Sequence, residues 1–464
     1  MSRQEDDNLI RLAEYWKKGG GIVSEHTATV AFTEEHRGQL LYDHERGKWY
    51  KWHNATYWRC EKTALAFHWA REIVARMIES EDDKTRRGAG KHSFMSWVEK
   101  IARADPAFAV ESTIWDCDRY LAGTPGGTID LHTGVLQPAR PEDHITKQTA
   151  VAPAAKADCP NWLQFLHEAT KGDSELIAFL QRFCGYTLTG DIKEHMLLFI
   201  FGPGGNGKGV FQRTVGGILA DYCRIAGMAT FEAAPWDRHT TELARLHGAR
   251  LVMASETEEG RAWAEKRIKE MTGGDPITAR FMRQDDFEYM PQFKLLLIGN
   301  NKPSLRNVDD AARRWFNIVP FIHKPPIADK DLEEKKLKPE WPGILRWMID
   351  GCLEWQRDGL KPPPIVISTT EEYFAEQDLV KQWIEEKCET KESDTSANLY
   401  KSWFTWAEEN GEKPGSKKWF GQALTRLQFK KFRDKTRRGF EGIKVKPEPA
   451  TAYGTSGGDK WGSK

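Results

Sequence analysis

The sequence predicts an α/β fold built around a parallel sheet, and three observations carry the prediction. Near-continuous apolar runs at Met196 to Phe201, Arg250 to Ala254 and Lys294 to Ile298 alternate with helical patterns, as strands buried on both faces of a parallel sheet do. A glycine-rich turn, Gly202-Pro-Gly-Gly-Asn-Gly-Lys208, stands between the first run and the helical stretch Val210 to Leu219. Downstream, Lys361-Pro-Pro-Pro364 forms a stiff extended break, because proline cannot donate to a helix or a sheet.

The chain has 464 residues, 39% apolar and 29% charged, which leaves room for about three domains. Residues 1–150 read as a mixed N-terminal domain. It has strand-like runs at Trp49-Tyr50 and Tyr57-Trp58, a helix from Ala64 to Ile78, a charged break from Ser80 to Lys91, and a hairpin over Thr124 to Gly134. Residues 151–193 read as a helical collar whose apolar stripe, Trp162, Phe165, Leu166, Leu176, Phe179, Leu180 and Phe183, closes at Gly185. The parallel-sheet core occupies 194–360. A further domain, 368–446, carries helical patterns at Leu399 to Glu408 and Lys417 to Leu427, then Phe429 to Arg438 and a short strand at Ile443 to Val445. That order suggests a winged helix. Residues 447–464 have little to bury and are expected to be disordered.

Charge and cysteine usage narrow the function classes. Lys+Arg and Asp+Glu are both 68, so the chain is not a polycation and any nucleic-acid contact must be local. From Lys413 to Lys446, however, twelve basic residues face only Asp434 and Glu441, a surplus of ten. The start, MSRQEDDNLI, lacks a basic segment followed by an apolar core, and no apolar run approaches the ~20 residues of a membrane span. Secretion and membrane insertion are therefore not expected. Seven scattered cysteines without a CxxC pair argue against a disulfide framework or zinc finger and for a reducing compartment. Asp116-Cys-Asp118 has no third ligand nearby in sequence and is read as structural.

The glycine-rich turn has the chemistry of a phosphate cradle. Gly202, Pro203, Gly204, Gly205, Asn206, Gly207, Lys208, Gly209 and Val210 would turn the backbone amides inward, aim a helix N-terminus at the same spot and add the Lys208 charge for the β and γ phosphates. ATP is the expected ligand. The slot after the lysine, which in such loops holds a Ser or Thr for Mg²⁺, is Gly209, so the metal must be held by water or by a carboxylate from elsewhere. Arg250-Leu-Val-Met-Ala-Ser-Glu256-Thr-Glu258 supplies one at the end of an apolar strand, with Glu256 the expected metal ligand. Asn300, ending the next strand, is a candidate sensor of the γ phosphate, although on its own an Asn at a strand end is more often a turn residue.

GPGGNGKG (202–209), ASETEEG (254–260), Met271-Thr-Gly-Gly-Asp-Pro-Ile-Thr-Ala-Arg280, LLLIGNNKP (295–303) and Asp309-Asp-Ala-Ala-Arg-Arg314 follow one another in an order that resembles the superfamily 3 helicases. Within them the chain is similar to the helicase half of the phage/plasmid primase family, which poxvirus primase-helicases also resemble. The resemblance implies an AAA+-type P-loop ATPase core, with Lys208, Glu256, Glu258 and Asn300 in the ATP site. It implies that Arg314, with Arg313 in reserve, is an arginine finger reaching into a neighbouring subunit's site. It further implies a ring, a hexamer in such helicases, that translocates on single-stranded DNA, 3′ to 5′, in the cytoplasm of a host cell during replication of a phage or mobile element. The adjacent acidic pair common in the superfamily is split here by Thr257, which leaves the roles of Glu256 and Glu258 undivided. Too few residues precede the collar for the family's primase domain, so a separate primase is an expected partner.

The segments Ile277 to Met282 and Phe287 to Phe293 flank Arg283-Gln-Asp-Asp286 and predict a hairpin. It matches the hairpin that lines the channel in the family, with Arg280, Arg283 and Lys269 as candidate DNA contacts. An exposed mixed-charge turn remains the alternative. In the last domain Lys417, Lys418, Lys430, Lys431, Arg437 and Arg438 are candidates for forked or duplex DNA, or for a partner interface. Arg313 and Arg314 admit a plain surface pair. The expected function is an ATP-dependent DNA helicase, the alternatives being a nucleotide-gated loader with weak ATPase and a primase-recruiting replication protein.

Overall fold

A computed structural model describes residues 22–233, 241–255, 262–282, 285–305, 310–325, 329–390, 392–412, 414–434 and 437–447. The chain divides into two compact units, one up to Thr370 and one from Glu371. In the first, the apolar runs form a five-stranded parallel sheet in the order Phe316–Pro320, Leu197–Phe201, Lys294–Gly299, Leu251–Ser255, Cys223–Ile225. Leu197, Leu198, Leu251, Val252, Leu295 and Leu296 are fully buried. Both faces are covered, which is why these strands lack the alternation of a half-exposed sheet.

Helix Lys208–Leu219 packs Phe211, Val215 and Ile218 into a core shared with the collar. The collar consists of helices Pro160–Ala169 and Ser174–Tyr186, joined by the long helix Trp341–Asp358. Gly185 does not end its helix, which runs on to Tyr186. A Cβ at Gly185 would lie 2.1 Å from the backbone nitrogen of Cys352, and one at Gly351 would lie 2.3 Å from the Gln181 carbonyl. The glycines let two helix backbones touch.

Upstream, a sheet in the order Tyr57–Cys60, Lys48–His53, Leu40–Asp43, Ala109–Val110 buries Leu40, Trp49 and Phe108 against helices Glu25–His36, Leu65–Met77 and His92–Ala102. The charged stretch expected to be a break holds a helix, Asp83–Ala89, because Asp82 accepts the Thr85 amide at 2.7 Å and caps it. The Thr124–Gly134 hairpin forms and gains a third strand, Val135–Gln137. Asp116 is bonded to Thr146 and Lys147, in keeping with a structural role.

Pro364 opens helix Pro364–Gln377 rather than ending an extended segment, since proline at the first helical position forfeits no hydrogen bond. The second unit contains helices Leu379–Lys387, Ser396–Glu409 and Lys417–Arg426 and a three-stranded sheet in the order Asp394–Thr395, Arg438–Glu441, Lys430–Arg433. They enclose Trp383, Trp403, Phe420, Leu424 and Phe440. Among the described residues no helix is long and apolar enough to cross a membrane.

Candidate nucleotide-binding site

Strand Leu197–Phe201 delivers the chain to the C-terminal edge of the sheet, and helix Lys208–Leu219 carries it away. The turn between them needs its glycines. At Gly202 a Cβ would sit 2.0 Å from the Phe321 carbonyl oxygen. Gly207 has φ +87°, and a Cβ there would lie 2.7 Å from the Phe165 ring of the collar. Pro203, Gly204 and Gly205 form an exposed rim. Gly207 offers the helix no side-chain cap, so the amides of the first turn, including those of Gly209 and Val210, have no acceptor within the helix and point at the rim.

Below the rim the polar groups converge. Asn206 is buried; its Nδ2 donates to the Phe321 carbonyl, and its Oδ1 accepts from Lys208 at 3.0 Å. Lys208, only 7% exposed, also directs Nζ at Gly202 O (2.6 Å), Pro203 O (3.2 Å) and Asn300 Oδ1 (3.1 Å). All four acceptors are neutral. Burial therefore holds the Lys208 pKa below the usual lysine range, and no described carboxylate forms an ion pair with it. A buried cation whose charge is uncompensated favours an incoming anion.

Asn300 follows strand Lys294–Gly299, which lies between the turn's strand and Leu251–Ser255. Glu256, Glu258 and Arg283 lie outside the described residues. Ser255 pairs with Ile298 at the same edge of the sheet. At Gly209 a Cβ would meet only the guanidinium of Arg213, at 2.8 Å, which is paired with Glu333.

Arg313 is half-buried and Arg314 exposed on the short helix Asp310–Trp315. They are not brought to Lys208. The strand they precede pairs Phe316 with Leu197 and Pro320 with Phe201. The arginines thus stand at the far edge of the sheet, about 16 Å from the turn at ~3.3 Å per residue.

The expected hairpin forms from Ile277–Arg280 and Asp286–Tyr289. Arg280 pairs with Asp286 at 3.6 Å, and exposed Lys269 lies over the Trp315 ring at 5.8 Å. In the second unit Lys417, Lys418, Lys430, Lys431, Arg437 and Arg438 are all exposed. Arg437 pairs with Asp434 at 3.4 Å, and Lys417 lies over Tyr400 at 5.5 Å. Sequence reasoning missed Lys324, whose stem lies 3.1 Å from a Cβ built on Gly205, and Lys302, over the Phe201 ring at 4.5 Å. Both follow strands of the sheet at the edge where the turn sits, a signal present in the sequence as lysines just after apolar runs.

Two families match the chain: D5 N terminal like over residues 29–171, and a family of unknown function, DUF5906, over 200–314. The protein named "Putative helicase L207/L206" of Acanthamoeba polyphaga mimivirus is 24% identical over 333 residues, 65% of this chain and 34% of that protein. "Putative helicase 022R" of Frog virus 3 is 28% identical over 229 residues, 45% of this chain and 24% of that protein. The chain thus spans about a third or a quarter of the length of these relatives. The apo C-terminal region of NrS-1 aligns at TM-score 0.44 and 10% identity, covering 86% of this chain and 95% of that one.

Proposed function

Taking the chain as a member of the D5-like primase-helicase family, we propose that it is the ATP-driven motor of a replicative DNA helicase, working as a ring on single-stranded DNA. The observation that carries this reading is Lys208, buried among four neutral oxygens beneath an uncapped helix N-terminus. A triphosphate would draw Nζ from those oxygens to the β and γ phosphates, while the first-turn amides take further phosphate oxygens.

Strand Lys294–Gly299, inserted between the strand of the phosphate turn and Leu251–Ser255, supports an AAA+-type core with Asn300 as sensor. Mg²⁺ would be held through Glu256, directly after Ser255, and would neutralise charge on the phosphates. Mg²⁺ bound to nucleotide needs only one or two protein carboxylates, so Gly209 and the absence of a metal cluster among the described residues are compatible with it. Glu258 is then left to orient the attacking water.

The arginine positions favour a shared site. Arg313 and Arg314 cannot cross about 16 Å to the turn of their own chain, which fits their completing the site of an adjacent subunit in a hexamer. The hairpin with Arg280, Arg283 and Lys269, and the basic face of the second unit, a winged-helix domain on this reading, would hold single-stranded and forked DNA. The deciding experiment is steady-state ATP hydrolysis with and without single-stranded DNA, alongside light scattering with ATP. DNA-stimulated turnover by a particle of several subunits is expected; full-rate turnover by a monomer refutes the reading. Gly209 favours one second reading, a nucleotide-gated loader that binds ATP but turns it over hardly at all. In that case DNA stimulates nothing and Lys208→Ala changes no rate.

A further inference from the structure

A cavity of the first unit lies away from the phosphate turn. It is a groove of about 1390 Å³ between the N-terminal sheet and the hairpin, and a smaller cleft of about 430 Å³ continues it past Arg224, which lines both. The groove exceeds the ~300–1,000 Å³ of small-molecule pockets, so a polymer segment fits it better than a metabolite.

Its two sides differ in chemistry. Arg119 in the groove and Arg59 in the cleft are exposed, and their guanidinium groups make no hydrogen bond or ion pair among the described residues; Arg245 belongs with His247 to the segment that packs on the hairpin. Arg224 spends one nitrogen on the carbonyls of Asp221 and Cys223. Opposite, Phe281 stacks on Phe287 with centroids 5.5 Å apart, and Phe287 adjoins Tyr289 and His247. The carboxylates lining the groove are segregated: Asp285, Asp286 and Glu288 belong to the hairpin side, while Glu242 accepts from Thr230 at 2.7 Å. Glu45 and, in the cleft, Asp221 are the acids on the arginine side.

We propose that this groove holds a segment of single-stranded DNA, with the arginines of the N-terminal region as its phosphate wall and the hairpin as its base wall. Guanidiniums without protein acceptors suit phosphate oxygens, aromatic faces suit unstacked bases, and carboxylates on the base side can accept from exocyclic amino groups. A duplex presents phosphates on both flanks and would set one row against the hairpin's carboxylates. The inference rests on the helicase reading and gives the N-terminal region a part in it, that of leading the strand to the hairpin.

The test is fluorescence anisotropy of a labelled single-stranded oligonucleotide with the full chain, its Arg59→Gln/Arg119→Gln variant and its Arg59→Lys/Arg119→Lys variant, over a sodium chloride series. Each lost phosphate contact removes about 0.7 from the slope of log K against log salt. The glutamine variant is therefore expected to show a slope shallower by about 1.4 and an affinity at least about tenfold weaker, with the lysine variant restoring the slope. An unchanged slope, in a protein that still binds DNA and hydrolyses ATP, overturns the groove while leaving the helicase reading intact. Equal losses on a duplex of the same sequence also overturn it. Absence of both DNA binding and hydrolysis in the unmodified chain sinks the two together.

Discussion

Lys208→Ala tests the site at the group on which it depends. In the nucleotide-free protein the substitution removes a buried cation, whose depressed pKa reports the strain of holding charge there, but it also strips donors from Asn206, Asn300 and two loop carbonyls. Asn300 and Pro203 are exposed and can turn to water, so the two effects offset and stability should move by no more than about 1–2 kcal/mol. Nucleotide binding has no such compensation. A charge-assisted hydrogen bond is worth about 1.5–3 kcal/mol, so the dissociation constant for ATP should rise roughly 10- to 150-fold. The pair of measurements is thermal unfolding without nucleotide and calorimetric titration with it. The sign of the pH dependence is also fixed. A lysine with a lowered folded-state pKa binds fewer protons folded than unfolded between that value and the unfolded ~10.4, so stability rises with pH across that window. A triphosphate pulls the pKa back up, and binding within the window should take up protons, read as a dependence of the apparent enthalpy on buffer ionisation heat. Loss of several kcal/mol of apo stability with unimpaired ATP binding would show that Lys208 is a structural pin and refute the reasoning.

Gly209→Ser adds the missing hydroxyl where a Cβ displaces only the Arg213 guanidinium from beside Glu333; half-saturation of hydrolysis should fall to lower Mg²⁺ concentration, and an unchanged Mg²⁺ curve would mean that the slot does not face the metal. Arg314→Ala alone should cost roughly 10³-fold or more in turnover; mixing it with Lys208→Ala protein should recover some activity, because one interface then keeps both groups, and failure of every mixture to exceed its components counts against a shared site. Gly185→Val drives a side chain into the Cys352 backbone and should cost at least about 1–3 kcal/mol, seen as a lowered unfolding temperature with little change in the ATP Michaelis constant of the protein that remains folded.

The central sheet was legible because strands buried on both faces leave unbroken apolar runs, and the turn because glycine and lysine have few other reasons to meet at that spacing. What escaped the sequence was long-range. Gly185 reads as a helix stop, and only the backbone of Cys352, 167 positions away, gives it another purpose. Ser80 to Lys91 reads as a charged break because seven helical residues carry too short a pattern to register, although Asp82 and Thr85 spell its cap. Asn206 appears in the sequence as one more turn residue. Its bond to Lys208 is local, but its bond to Phe321 depends on which strand lies beside Leu197–Phe201, and strand order is not written locally.

Those two bonds also connect the ends of the proposed shared site. Asn206 holds Lys208 with its oxygen and the Phe321 carbonyl with its nitrogen, and Phe321 directly follows the strand whose other end is entered from Arg313 and Arg314. On the shared-site reading, a nucleotide that draws Lys208 away from Asn206 would act on a residue bonded to the element that would present the arginines to a neighbour. That continuity makes a specific demand. Asn206→Ala removes the link and leaves the lysine, the turn glycines and the arginines in place, so ATP should still bind, weakened by about 1–3 kcal/mol at most, while the cooperativity of hydrolysis with ATP concentration disappears. A Hill coefficient above one that survives the substitution would place communication between subunits somewhere other than along this strand.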